Sequence, residues 1–184
     1  MSNKKFRWSA VAEKIDLSQD KIIGCELGIW KGKMSQKLLE LIPNLHLIMV
    51  DRWECPPPDD SFYQSGSQIA LVNQEVFDAA FEEAMERTNP YASRCDVYRM
   101  LSVQAAAEIK DDSLDFVFID GDHSYEGVKA DIQAWYPKVK EKSWISGHDW
   151  GKLNKGNVEK AVREFFNDKF ELGCNSTWFV QKMG

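Results

Sequence analysis

The apolar run DFVFI breaks off at IDGDHS, where Asp120, Asp122 and His123 fall within four positions. A second polar pair, His148 and Asp149, closes the run SWISGHD. Carboxylates and imidazoles in such company can hold a cation, orient a nucleophile or carry its proton. Ser124 opens a helical pattern directly after His123. The helix dipole there is expected to disfavour the imidazolium and keep His123 available as a neutral base. His148 and Asp149 are expected to face the same lip, with His148 as a base or an orienting donor.

Two earlier stretches carry acids of a different kind. CELGIWKG contains Glu26, Gly28 and Gly32 in an E-x-G-x-x-x-G spacing, without the G-x-G-x-x-G of a dinucleotide turn. Gly28 would let the backbone approach a ligand, and Gly32 would open the next helix with no side chain in the way. The lysine and hydroxyl of a phosphate loop are missing, and Glu26 would repel a pyrophosphate while suiting a cation. Asp51 ends the run LHLIMVD. It lies about 20 residues beyond the glycines, where an acid can accept hydrogen bonds from ribose hydroxyls. A ribose and a cation without phosphates point to S-adenosylmethionine.

The elements that must position these groups are legible from periodicity. KIIGCELG, LHLIMVD, DVYRML, DFVFID, SWISGHD and TWFVQK are apolar runs of strand length. Helical spacing links Trp8, Val11, Ala12 and Ile15; Met34, Leu38, Leu39 and Ile42; and Phe77, Ala80, Phe81 and Ala84. It recurs in Val128, Ile132, Trp135 and Tyr136, and in Val158, Ala161, Val162, Phe165 and Phe166. Such alternation implies a doubly wound α/β domain, its mostly parallel sheet covered by helices on both faces. In these sheets ligands bind beyond the carboxyl ends of the strands. The polar stretch ECPPPDDSFYQSGSQ interrupts the rhythm, and residues 54–68 are expected to form a lid or substrate loop.

A chain of 184 residues is expected to form one domain with a substantial core. A net charge of −6 argues against a nucleic-acid backbone or an anionic membrane as the main partner. The opening MSNKKFRWSA lacks the apolar stretch of a signal peptide. Four widely spaced cysteines, without a C-x-x-C pair, are expected to be free thiols in a reducing, cytoplasmic setting.

In this order and spacing, GCELGIWKG, VDRW, FIDGDHSYEGVKADIQAW and SGHDW resemble class I S-adenosylmethionine-dependent methyltransferases. They are most similar to the small-molecule O-methyltransferase branch, which includes catechol-type and macrolide-sugar enzymes. The resemblance spans residues 20–166 and implies a seven-stranded Rossmann-like sheet, with residues 1–184 forming a single cofactor-binding domain. It implies that Glu26, Gly28 and Gly32 lie along the methionine part of the cofactor and Asp51 takes the ribose hydroxyls. Trp53 would flank the adenine, Ser102 and Val103 would border it, and Asp120 would lie below the sulfonium. The lysine base of catechol-type relatives falls on His123. The metal ligands of related enzymes fall on Asp120, His148 and Asp149, with His148 where those enzymes carry a carboxylate. An imidazole there suits manganese, iron or zinc better than magnesium, so a divalent metal stays open and direct action of His148 is the simpler reading. The implied activity is O-methylation of a small hydroxylated molecule by a monomer or homodimer, without nucleic acid or membrane. The alternatives are a nucleotide- or NAD-binding Rossmann-type enzyme and a catalytically silent cofactor-binding module.

Overall fold

Alternating strand residues feed two cores, one on each face of a single sheet. The structure is a computed structural model that describes residues 6–64, 68–151 and 156–184. In chain order its elements are α1 (Arg7–Lys14), β1 (Ile22–Leu27), α2 (Lys33–Leu41), β2 (Leu45–Asp51), α3 (Ser61–Gln64) and α4 (Gln74–Thr88). There follow β3 (Cys95–Arg99), α5 (Ser102–Glu108), β4 (Leu114–Ile119), α6 (Tyr125–Trp135), β5 (Val139–Gly147), α7 (Asn157–Phe166), β6 (Glu171–Leu172) and β7 (Trp178–Gln181). Cys25, Leu27, Val50, Val117 and Ile119 pack with α5, α6 and α7. Ile22, Leu47, Met49, Phe116 and Phe118 pack with α1, α2 and α4.

The strand order is β3-β2-β1-β4-β5-β7-β6. Strands β1 to β5 pair in parallel, and β7 pairs antiparallel with both β5 and β6. The chain winds outward from β1 to β3 and returns to β4, so the order reverses between β1 and β4, where a ligand site is expected. The doubly wound, mostly parallel seven-stranded sheet expected from the sequence is present. β6 went unread because two exposed residues carry no pattern, and the short, alanine-rich α5 gave only a weak one.

Ser124 caps α6 as its position implied, accepting a hydrogen bond from Gly127 N at 3.0 Å. Ser102 does not cap α5, whose N-cap is Leu101. Of the expected 54–68 loop, residues 65–67 lie outside the described residues; the rest includes α3, which packs on α6. Among the described residues no helix is long and apolar enough to cross a membrane. All four cysteines are free thiols.

Candidate active site

Backbone bonds prolong the ladder past the strand ends and build a rigid lip. Gly28 N donates to Val50 O, Asp120 N to Leu27 O and His148 N to Ile119 O, at 2.9, 2.8 and 3.1 Å. Beyond this lip lies a cavity of about 340 Å³, within the usual range for small-molecule sites. Met100, Leu101 and Val103 line it just beyond β3, and Asp120 and His123 just beyond β4, two strands that the sheet order sets apart. Asp51, Gly28, Trp30 and Ser102 lie along its wall.

His123, His148, Asp120 and Asp149 come together as expected, but their charge state differs from the expectation. Asp149 sits between the two imidazoles, 3.0 Å from each Nδ1. Its backbone is left-handed at φ 58°, an uncommon conformation that aims the carboxylate inward. Asp120 Oδ1 lies 3.4 Å from His123 Nε2 and 3.5 Å from His148 Nδ1. Burial alone would lower His123, yet the flanking carboxylates override it and raise the ring to about 10. The same balance takes His148 to about 9. Both carboxyls are held below their usual range despite burial, mainly by the two histidines. This balance favours the imidazolium and runs against the neutral base expected at the helix start. Two carboxylates within 3.4 Å outweigh the partial charge of a helix end.

The cofactor-side residues divide. Asp51 lines the cavity, but Ile29 N and Trp30 N donate to its Oδ2 and Trp53 N to its Oδ1, each at 2.8 Å. A carboxylate offers about four lone-pair sites, so roughly one is left for a ribose hydroxyl. Gly28 lies in the wall at φ 83°, where a Cβ would overlap the Asp120 carbonyl. Gly32 serves packing instead: its Cβ would stand 2.8 Å from Ala84 Cα of α4. Trp53 is fully buried, donates to Trp30 O at 2.8 Å and packs edge-on against Phe81, so it cannot flank an adenine. Trp30 takes the wall position instead. Glu26 lies behind the wall, 2 % exposed, and accepts from Ser35 Oγ at 2.7 Å. Ser102 faces the cavity while donating to Asp131 Oδ1 and accepting from Trp135 Nε1.

Sequence reasoning gave no role to three residues here, although it noted Asp122. Asp131 lines the cavity while nearly buried, and burial pushes its carboxyl up to about 7. Its place in the series 128, 131, 132, 135 marks the inner face of α6, a signal that was available. Asp122 holds the helix start through Ser124 N at 2.8 Å and draws α3 in through Ser61 Oγ at 2.6 Å. Arg7 reaches Asp120 from α1, and nothing in the sequence signals a contact across 113 positions.

A family profile described as "Methyltransferase domain" matches residues 25–150, well over half of the chain. The chain belongs to this methyltransferase family. It is a methyltransferase domain, and S-adenosylmethionine is the cofactor that membership implies. The sheet has the fold of the O-methyltransferase NovP, with TM-score 0.67 and 15% identity over 95% of this chain and 75% of that one. The calicheamicin methyltransferase CalS11 is similar, with TM-score 0.64 and 15% identity over 95% and 76%. Likeness at such identity carries the fold alone. A curated relative, the uncharacterized protein y4gI of Sinorhizobium fredii, is 32% identical over 87 residues, covering 47% of this chain. The matched region spans only 9% of that relative's own length.

The methyltransferase's acid cluster also fits a divalent ion, an option the resemblance raised. Asp120, His123 and Asp149 each bring a ligand atom within 4.8 Å of one another, and His123 Nε2 is buried without a hydrogen-bond partner. One imidazole and two carboxylates suit manganese, iron or zinc better than magnesium. The trio differs from the expected one, taking His123 in place of His148. An ion bound there would displace the imidazole proton and polarise an oxygen ligand of the acceptor.

Glu26 yields a stability prediction. Burial pushes its carboxyl up to about 8, against the Ser35 hydrogen bond and the charge of Arg7; Asp120 and Asp51 add to the rise. The folded enzyme then holds a proton that the unfolded chain releases near its ordinary value. Stability should fall as pH rises from about 4.5 to about 8, by at most ~1.4 kcal/mol per pH unit from this group. Glu26→Gln should flatten that slope and exceed the parent's stability above pH 8. Urea unfolding at a series of pH values would test this, and parallel curves for the two proteins would refute it.

Proposed function

We propose that this methyltransferase transfers a methyl group from S-adenosylmethionine to an oxygen of a small, weakly acidic hydroxylated molecule. The observation that carries the reading is a cavity at the strand ends whose lining holds apolar residues beyond β3 and the Asp120–His123 pair beyond β4. Leu101 and Val103 suit a purine, and Asp51 lies within the wall for the ribose. Asp120 offers its negative charge to the sulfonium. Methyl transfer is an in-line displacement, so the acceptor oxygen must enter opposite the leaving sulfur. Asp149 and Asp120 favour the cationic forms of His123 and His148, so in this reading the acceptor enters already ionised, its proton lost to solvent, and the two rings stabilise its oxyanion until the methyl group is transferred and S-adenosylhomocysteine leaves. An acceptor whose hydroxyl ionises readily would gain most. The 54–68 loop acts as the substrate lid, with Asp60, Ser61 and Phe62 on the cavity and Arg52 bound to Asp60 at 2.7 Å.

The test is a calorimetric titration of the full chain with S-adenosylmethionine, S-adenosylhomocysteine and NAD, followed by an acceptor screen. Phenols, catechols, sugars and carboxylic acids would be scored by S-adenosylhomocysteine release. Binding of both adenosyl ligands and turnover on a phenolic or other acidic hydroxyl are expected. NAD binding alone would overturn the reading, and cofactor binding without turnover on any acceptor would favour a silent module.

A separate expectation concerns metal. Arg7, His123 and His148 already balance Asp120 and Asp149, so turnover should survive exhaustive EDTA treatment. Activity abolished by chelation and restored by manganese would transfer the oxyanion-stabilising role to an ion held by Asp120, His123 and Asp149.

A further inference from the structure

Asp60 and Ser61, consecutive in the chain, are tied to two different strand ends. Arg52 Nη1, just beyond β2, donates to Asp60 Oδ2 at 2.7 Å. Ser61 Oγ donates to Asp122 Oδ2 at 2.6 Å, just beyond β4. β2 and β4 flank β1 in the sheet, so the two ties draw residues 60 and 61 across the end of β1, where Gly28 forms part of the cavity wall. Asp60 Oδ1 also accepts from Phe62 N at 2.9 Å, a local turn that sets Phe62 on the cavity. The helical turn that follows, α3, packs on α6.

The two halves of this clasp differ in firmness. Asp122 is fixed by its own turn, with Ser124 N donating to Oδ1 at 2.8 Å and Ser124 Oγ to Oδ2 at 2.9 Å. A side chain at Gly127 would strike this carboxylate, so the glycine leaves it room against α6. Loss of the Ser61 hydroxyl would therefore leave the start of α6 and the adjoining His123 in place. The other half is weaker. Ser61 contributes one hydrogen bond, while Arg52 Nε is buried with no hydrogen-bond partner among the described residues. A buried donor left unsatisfied costs free energy, so closure by Ser61 works against a cost at Arg52. All of these bonds join groups of the chain to one another, so closure needs no ligand to complete it.

We infer that Ser61 is a positioning residue that acts through Asp122, holding residues 60–62 shut over the site and setting how fast ligands enter and leave it. A shut site keeps water from the reacting groups, yet it must open once in each turnover to release S-adenosylhomocysteine. Because the clasp is complete without a ligand, it slows entry and exit alike and has little influence on affinity. This rests on the methyl-donor and lid readings given above.

The experiment measures association and dissociation of S-adenosylhomocysteine on the immobilised full chain by surface plasmon resonance. In Ser61→Ala both rate constants should rise about 10-fold, the scale of one hydrogen bond to a charged group, while Kd, their ratio, stays within about 3-fold of the wild type. Ser61→Thr keeps the hydroxyl and should return both rates toward those of the wild type. Any loss of folded protein lowers the signal and leaves the rate constants unchanged. Faster dissociation alone, with Kd weakened in proportion, would make Ser61 a support for the bound ligand and overturn the clasp. Unchanged rates in Ser61→Ala would also overturn it, and the methyl-donor reading would stand. If the wild type does not bind S-adenosylhomocysteine, that reading falls and the clasp falls with it.

Discussion

His123→Ala should slow methyl transfer by about 10²–10³-fold, the usual loss when one stabiliser of a developing or bound oxyanion is removed. Affinity for S-adenosylhomocysteine should change little, because the imidazole lies beside Asp149 and the acceptor end, away from Asp51. The penalty should also depend on the acceptor. A weakly acidic alcohol needs the imidazolium more than a phenol that ionises unaided, so the loss should grow as acceptor acidity falls. Single-turnover rates across a series of substituted phenols would measure this. A penalty independent of acceptor acidity would remove His123 from the oxyanion and leave it a positioning role through Asp149.

Gly28→Ala should be the most damaging methyl-sized change at the site. A side chain there would be held at φ 83°, with its Cβ overlapping the Asp120 carbonyl and close to Gly121. Left-handed strain and forced displacement of a neighbouring strand end together should destabilise by about 3 kcal/mol. Cofactor binding should be lost even in the fraction that folds, since the same displacement moves Asp120. Gly121→Ala is the control: its Cβ would find Gly28 N at 3.8 Å, an ordinary contact, and stability should change by less than about 1 kcal/mol. Chemical denaturation of both variants decides the matter, and equal losses would show that the crowding at Gly28 is relieved by the surrounding backbone.

The strands were legible because β1, β2 and β4 are covered on both faces and so read as unbroken apolar runs. The position of the site was legible for a related reason, since polar residues ending such runs must gather at one edge of the sheet. Side-chain direction in the turns was not. Trp53, at φ 41°, turns inward beneath Trp30, and no local pattern announces a left-handed tryptophan. Nor could composition reveal the state of His123, which depends on Asp149 arriving from 26 positions later in the chain, as the residue numbers show. Asp131 was readable and was passed over, because an acid within a helix is ordinarily taken for its solvent face.

The placement of β1 inside the sheet, between β2 and β4, has a bearing on how the chain is made. Ile23 of β1 donates to the Asp115 carboxylate across 92 positions, and the neighbouring β4 is the strand that covers that flank. A ribosome adding about 5–20 residues per second would leave the flank uncovered for several seconds. During that interval β1 and β2 present an apolar edge that other chains can join. Loop closure over so long a span also slows the docking of β4 once it emerges. Nascent chains arrested before residue 114 should therefore bind chaperones strongly, and release should coincide with emergence of the DFVFI segment.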